Sequence, residues 1–505
     1  MRGQGLYGGA VKAGYTELRE RLAEIHDLQK TRSMLSWDQQ VKMPAAGGAV
    51  RAEQLATLDR LAHERFVSDE IGLLLERLTP FEESQGYDSD EASLIRVTRR
   101  DWEKARQVPA ELRAEMSRAA SLALPVWAAA RAESDFARFL PHLRANLELR
   151  RRYVDCFDDY DEPYDVLLDD FERGMTAAEV RVVFDRLKTD QVPLVAAASQ
   201  NGDRPARDRP YPLEGQRRFE LAVLERFGFD SRSWRLDPTV HPFASSLGIH
   251  DIRLTTRYHE TNLDGLFASM HECGHGLYEH GVADSLERTP LARGTSLGLH
   301  ESQSRLWENL VGRSLPFWRF FYPRLREQFP EALHDVELED WYRSVNWVEP
   351  SLIRVEADEA TYNLHVILRF ELEQELLSGA VALEELPEAW NARMREYVGL
   401  EPPNDRLGVL QDVHWSGGHI GYFATYALGN VISAQIWERI RAEIPDLHAQ
   451  FEAGEFGELR RWLVDNLYRH GRKFTPKETL ERVVGGPIDP DPYLRYLGTK
   501  LATLA

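Results

Sequence analysis

The chain has 505 residues, 43% hydrophobic and 29% charged, with a formal net charge of −20. This length can bury a large core, the acidic balance argues against non-specific nucleic-acid binding, and no apolar run of about 18 residues offers a membrane span. Only Cys156 and Cys273 occur, which excludes a disulfide framework and fits a reducing, cytoplasmic compartment.

Residues 1–14 read as a flexible tail, because Met1 to Gly9 has no apolar stretch of the kind a secretion signal needs. From Tyr15 to Gln40, Leu18, Leu22, Ile25, Leu28 and Leu35 recur at helical spacing, and Met43 to Gly48 interrupts the pattern. Helical patterns follow at 49–64, 69–78, 89–107, 109–134 and 136–156, so 15–156 reads as an all-helical wall or lid. The acidic stretches Asp158 to Glu162 and Asp169-Asp170 read as a solvated loop and helix start. Helix resumes over 176–198, and Asn201 to Gly215, rich in Asp, Arg and Pro, reads as a loop.

Asp251 to Tyr258 alternates apolar and polar residues at period two, which predicts a strand just after His241-Pro242-Phe243. A strand here is placed to hold an extended peptide by β-addition. Further helical patterns cover 262–280, 298–314, 351–377, 419–440 and 456–470. With no repeats and no linker, 15–505 is expected to form one catalytic domain, its active site carried by 230–440.

The helix predicted over 262–280 contains His271-Glu272-Cys273-Gly274-His275. Residues i and i+4 lie about 40° apart around a helix, so both imidazoles can reach one metal ion, and Glu272, about 100° round from His271, can face water at an open coordination position. Cys273 points away from both histidines and is assigned to packing. Gly274 and Gly276 each weaken the helix by about 1 kcal/mol, which implies close approach of another backbone or a ligand. A catalytic zinc needs a third protein ligand. Glu301 lies 26 residues beyond His275, on a predicted helix whose Leu299, Leu306 and Leu310 face the core while Glu301 points to the other side. Two antiparallel helices would bring it to the histidines. Glu272 would then act as general base and later as proton donor to the leaving amine.

Several further motifs accompany this one: His241-Pro242-Phe243, Asp251-x-Arg253-x-Thr255, His300-Glu301-Ser302-Gln303, Ile353-Arg354-x-x-Ala357-Asp358, and Gly408-x-x-Gln411-Asp412-x-His414-Trp415. In this order they resemble the carboxypeptidase Taq metallocarboxypeptidases over nearly the whole chain. The resemblance implies release of C-terminal residues from peptides with broad specificity, one zinc or cobalt ion per chain, and commonly a homodimer. It also implies a mostly α, two-lobed fold with a deep central groove and a small β-sheet near the active-site helix, like neurolysin.

An enzyme that reads a free C-terminus needs a cation for the carboxylate, and Arg354 and Arg253 are the candidates. The motif favours Arg354 as the clamp, with Asp358 orienting it. The resemblance places Gln411 and Asp412 among the substrate-binding residues. Tyr422 and Tyr426 are expected on one face of the helix after the glycine-rich turn. Tyr422 is the candidate oxyanion stabiliser, assisted by His414 or His419, with Tyr426 beside the substrate. His241 is a candidate substrate contact, with a structural role as its alternative.

Two other readings are open at this stage. An endopeptidase or aminopeptidase would use the same metal-centre residues. A di-iron carboxylate bundle would pair Glu272-x-x-His275 with Glu331-x-x-His334, but leaves His271 without a role.

Overall fold

A computed structural model describes residues 2–199 and 203–504. The N-terminal layer is α1 (Arg2–Val41), α2 (Gly48–Phe66), α3 (Asp69–Ser84) and α4 (Asp90–Gln107). Leu18, Leu22 and Ile25 of α1 share a small core with Leu74, Leu75 and Leu78 of α3 and with Leu94 and Ile95 of α4, as the helical spacing required. The same small core takes in Ile249, Val282, Leu286 and Leu291, which ties this layer to the rest of the molecule. Helix α1 reaches back to Arg2 through residues read as a tail; residue 1 and the first residues of the loop read over 201–215 lie outside the described part.

The larger core begins with α5 (Ala110–Glu133), α6 (Phe136–Val154), α7 (Pro163–Asp169), α8 (Ala177–Ala198) and α9 (Leu213–Phe227), followed by β1 (Trp234–Pro238), β2 (Ala244–Gly248) and β3 (Asp251–Thr256). It continues through α10 (Asp264–His280), α11 (Leu297–Arg305), α12 (Leu315–Gln328), α13 (Pro330–Leu333), α14 (Leu338–Val345), α15 (Tyr362–Ser378) and α16 (Leu386–Arg393). The last helices are α17 (Ala424–Glu443), α18 (Leu447–Glu452), α19 (Gly457–Asn466), α20 (Pro476–Val484) and α21 (Asp491–Leu504). The fold is mostly α with one small sheet, and a groove of about 690 Å³ runs between α1 and the α10–α11–α17 body.

The sheet order is β1-β3-β2, with β3 parallel to β1 and antiparallel to β2. The predicted strand is therefore the inner one, and its backbone is already paired on both sides. The edge facing the groove is β2, whose residues are all half-buried and lack apolar alternation, so its sequence carried no strand signal.

Other boundaries moved for local reasons. The helix expected over 351–377 breaks, because the Asp358 carboxylate accepts the Ala360 and Thr361 amides and starts a new helix at Tyr362. The helix expected from 419 begins at Ala424, since Gly418 and Gly421 adopt φ of +69° and +93°, which carry the chain through a left-handed turn. After α11 the chain stays helical but widens to a π-helix at Leu306–Val311.

Candidate active site

Helix α10 buries Leu266, Phe267, Met270, Leu277 and Tyr278, leaving His271 and His275 on its groove side. Its two central glycines have distinct partners. A Cβ on Gly274 would lie 2.5 Å from the Gln303 carbonyl oxygen of α11, and one on Gly276 would lie 2.4 Å from the Trp234 ring of β1. Close approach of α11 brings Glu301 to the histidines. Donor atoms of His271, His275 and Glu301 all lie within 4.8 Å of one another, and the Nε2 atoms of both histidines are 3.6 Å from the same Glu301 Oε2. Bonds of about 2.1 Å at tetrahedral angles imply donor separations of about 3.4 Å, so two imidazoles and a carboxylate fit a zinc-sized divalent ion here.

The far side of each imidazole is engaged. His271 Nδ1 meets Glu308 Oε2 at 3.0 Å. His275 Nδ1 meets His300 Nδ1 at 2.7 Å, and His300 Nε2 meets Glu279 Oε1 at 2.8 Å. If His275 offers its Nε2 lone pair to a metal, its Nδ1–H donates to His300, whose Nε2–H donates to Glu279. Burial, reinforced by the neighbouring His300 and His271, holds the His275 pKa well below its ordinary value and keeps it neutral. Arg305 donates from Nε to Glu301 Oε1 at 2.8 Å and from a terminal nitrogen to Glu308 Oε2 at 3.2 Å, fixing both carboxylates. These outer partners set ring orientation and ligand basicity.

Glu308 and Arg305 had a legible signal that went unread: Glu308 is seven residues, two turns, beyond Glu301 and shares its face. The His300–Glu279 relay did not, because it joins two helices by tertiary contact.

Glu272 also lines the groove, against the β2 edge. Burial lifts its carboxyl to about 7, His271 opposes this, Glu301 and Glu308 add to it, and a hydrogen bond from the Ala244 amide opposes it. Cys273 is fully buried away from the histidines. Tyr422 and Tyr426 both line the groove, their ring centroids 5.3 Å apart, but Tyr422 sits in the loop just before α17 rather than on the helix. His414 lies behind them, Nε2 3.3 Å from the Tyr426 hydroxyl, and burial pushes its pKa down to about 3. His419 is exposed and outside the groove lining.

Arg354 is buried rather than free. Its guanidinium donates to Asp412 Oδ1 at 2.9 Å and to the Tyr362 hydroxyl at 2.8 Å, so Asp412, not Asp358, orients it. Asp412 is shared with Arg369, and the two arginines hold its carboxyl below its ordinary range despite burial. The Gln411 side chain accepts the Arg354 amide and an Arg369 N–H and donates to backbone carbonyls. Arg354 thus lies one layer behind the groove, 4.9 Å from the Tyr426 ring centroid. Arg253 faces the other way, bound to Asp251 and lying 4.5 Å over the Trp37 ring of α1. His241 is exposed, whereas Pro242 and Phe243 line the groove. The groove also draws Lys30, Arg100, Asp169, Arg173 and Arg472 from outside the expected 230–440 segment.

With this geometry in place, comparison with known proteins is direct. Residues 17–501 match the model of the carboxypeptidase Taq (M32) metallopeptidases. The chain belongs to that family. It is 42% identical to thermostable carboxypeptidase 1 of Thermus thermophilus, covering 98% of this chain and 99% of that one, and 34% identical to carboxypeptidase 1 of Bacillus subtilis over 97% and 98%. The crystal structure of an M32 carboxypeptidase from Deinococcus radiodurans R1 superposes with a TM-score of 0.94 at 41% identity, covering 97% of this chain and 99% of that one. The chain is therefore an enzyme, a metal-dependent carboxypeptidase acting on peptides. The di-iron alternative finds no support, since Glu331 and His334 are exposed at the short α13.

Proposed function

We propose that His271, His275 and Glu301 hold one zinc ion, a site that also suits cobalt, and that Glu272 is the general base for removal of single C-terminal residues from peptides with broad specificity. The observation that carries this is the convergence of the three donors on one point with the Glu272 carboxyl beside them in the groove. A divalent metal bound there supplies Lewis acidity and acidifies a coordinated water.

Glu272 accepts the proton of the attacking water, a role its elevated pKa suits because the same carboxyl must later give that proton to the leaving amine. The Tyr422 hydroxyl, with Tyr426 beside it and His414 behind, donates to the developing oxyanion. The β2 edge, rather than the inner β3, faces an extended substrate, which would take over the Ala244 amide and the Ser246 carbonyl from Glu272 and Lys30. Arg354 would meet the substrate carboxylate through the Tyr362–Tyr426 layer, held in place by Asp412 and Gln411. Arg253, His241 and His419 are then left to structural or peripheral roles. Two unpaired cysteines support a cytoplasmic location, and the family resemblance supports a homodimer.

Chelation should abolish stepwise C-terminal release from a free-acid peptide, followed by mass spectrometry, and zinc should restore it. A C-terminally amidated peptide should be spared. Equal cleavage of both peptides, or internal fragments, would overturn the reading. Glu272→Gln should keep the metal and lose about 10²–10⁴-fold in rate; a near-normal rate would remove Glu272 as the base.

A further inference from the structure

The groove continues past the metal-binding residues. Beyond His275 it follows α10 to Glu279, and there five cations wall it: Lys30, Arg100, Arg173, Arg293 and Arg472. They come from five separate segments of a chain whose net charge is −20, so their convergence is a property of the fold. Arg100 is paired with Asp169, and Arg472 donates to Asp101 at 2.9 Å. Lys30 donates to the Ser246 carbonyl at 2.8 Å and has no carboxylate partner. Among the described residues, the side chains of Arg173 and Arg293 have no hydrogen-bonding or ion-pair partner at all. Arg293 is solvent-exposed inside this recess. Its strongest electrostatic neighbour is another cation, Arg472, and this repulsion together with desolvation brings its pKa down to about 10 against the pull of Asp101 and Glu279.

Asp101, Asp169 and Glu279 lie near these cations, but neither Arg173 nor Arg293 is in direct contact with one, so both guanidinium groups are open to an incoming carboxylate, which the planar arginine fork matches with two hydrogen bonds. The direction of β2 says which part of a peptide brings it. The strand starts at Ala244, beside Glu272, and passes Lys30 at Ser246. A chain pairing antiparallel with this edge runs from Lys30 toward Glu272, so the cationic arm meets residues N-terminal to the scissile bond.

We infer that Arg293 and Arg173 form a subsite for an acidic side chain, Asp or Glu, upstream of the scissile bond, in the window of positions that begins where a paired chain passes Ser246 and Lys30. The inference rests on the carboxypeptidase reading for the polarity of the groove.

The test is a series of free-acid peptides with one C-terminal residue and Asp exchanged for Asn at each upstream position in turn. At one position in that window, Asp is expected to raise kcat/KM at least about tenfold over Asn, an advantage that shrinks with rising salt. Arg293→Ala and Arg173→Ala, with melting unchanged, should bring the Asp-to-Asn ratio toward one, Arg293→Lys should keep part of it, and Arg293→Glu should favour Lys at that position. Equal rates for Asp and Asn at every position, or a ratio that survives in the double alanine variant, would overturn the subsite. Calorimetric titration of the same peptides into zinc-loaded Glu272→Gln reads it without turnover: tighter binding of the Asp peptide supports it and equal binding refutes it. Failure to release a C-terminal residue from any peptide would count against the carboxypeptidase reading alone.

Discussion

At the residue scale, the proposed metal site depends on side chains outside its motif. Glu308 meets His271 and is itself held by Arg305 and Arg313. Glu308→Gln should leave the fold intact and weaken metal binding about 10–100-fold, read by competition with a fluorescent chelator; unchanged affinity would reduce Glu308 to packing. Another buried carboxyl predicts a pH dependence. Glu220 accepts the hydroxyls of Ser269 and Tyr258, and burial raises its pKa from 4.5 to about 7. Between those values the native state binds the proton more tightly than the unfolded chain, so this group's contribution to stability falls as pH rises from about 4.5 to 7 and is constant above. The full shift corresponds to at most about 3 kcal/mol. Glu220→Gln keeps an acceptor for hydroxyls that can rotate, so relative to wild type its stability should improve between pH 5 and pH 8 in urea denaturation. An equal difference at both pH values would refute this.

At the element scale, the spacing of α10 is set by glycine. Gly274→Ala adds helix propensity of about 1 kcal/mol but drives a methyl group into the α11 backbone. Overpacking by one methyl group typically destabilises by about 1–3 kcal/mol. The variant should melt lower and bind metal more weakly, because Glu301 moves with α11. Gly498 is the control: it lies inside α21 and its added Cβ meets nothing within 4 Å, so Gly498→Ala should stabilise by about 0.4–1 kcal/mol. Differential scanning calorimetry and metal analysis on both variants separate the two effects. The i, i+4 histidines were readable in the sequence because helix geometry is local. The π-helix at Leu306–Val311 and the restart at Tyr362 were not, since the first leaves the apolar pattern unchanged and the second hangs on the hydrogen bonds of one carboxylate, Asp358.

At the scale of the whole molecule, α1–α4 share only a small core with Ile249, Val282, Leu286 and Leu291, whereas α10, α11, α15 and α17 sit in the large one. Amides of α1, α3 and α4 should therefore exchange with deuterium before those of α10 and α17, and a bound peptide should slow α1 through Lys30 and Ser33, which line the groove. Exchange as slow in α1 as in α17 would contradict this.

The acidic balance is a count of residues, and helical class, the His271-Glu272-x-x-His275 pair and the candidate third donor Glu301 follow from residue types and spacing, because each rests on contacts within one or two helices. The folded chain decided that β2 is the free edge, that Asp412 buries Arg354 one layer behind the groove, and that five distant cations converge past His275. The sheet order and the Arg354–Asp412 pair join separate elements, and the cations join segments hundreds of residues apart, so only the packing of one layer on another brings these groups together.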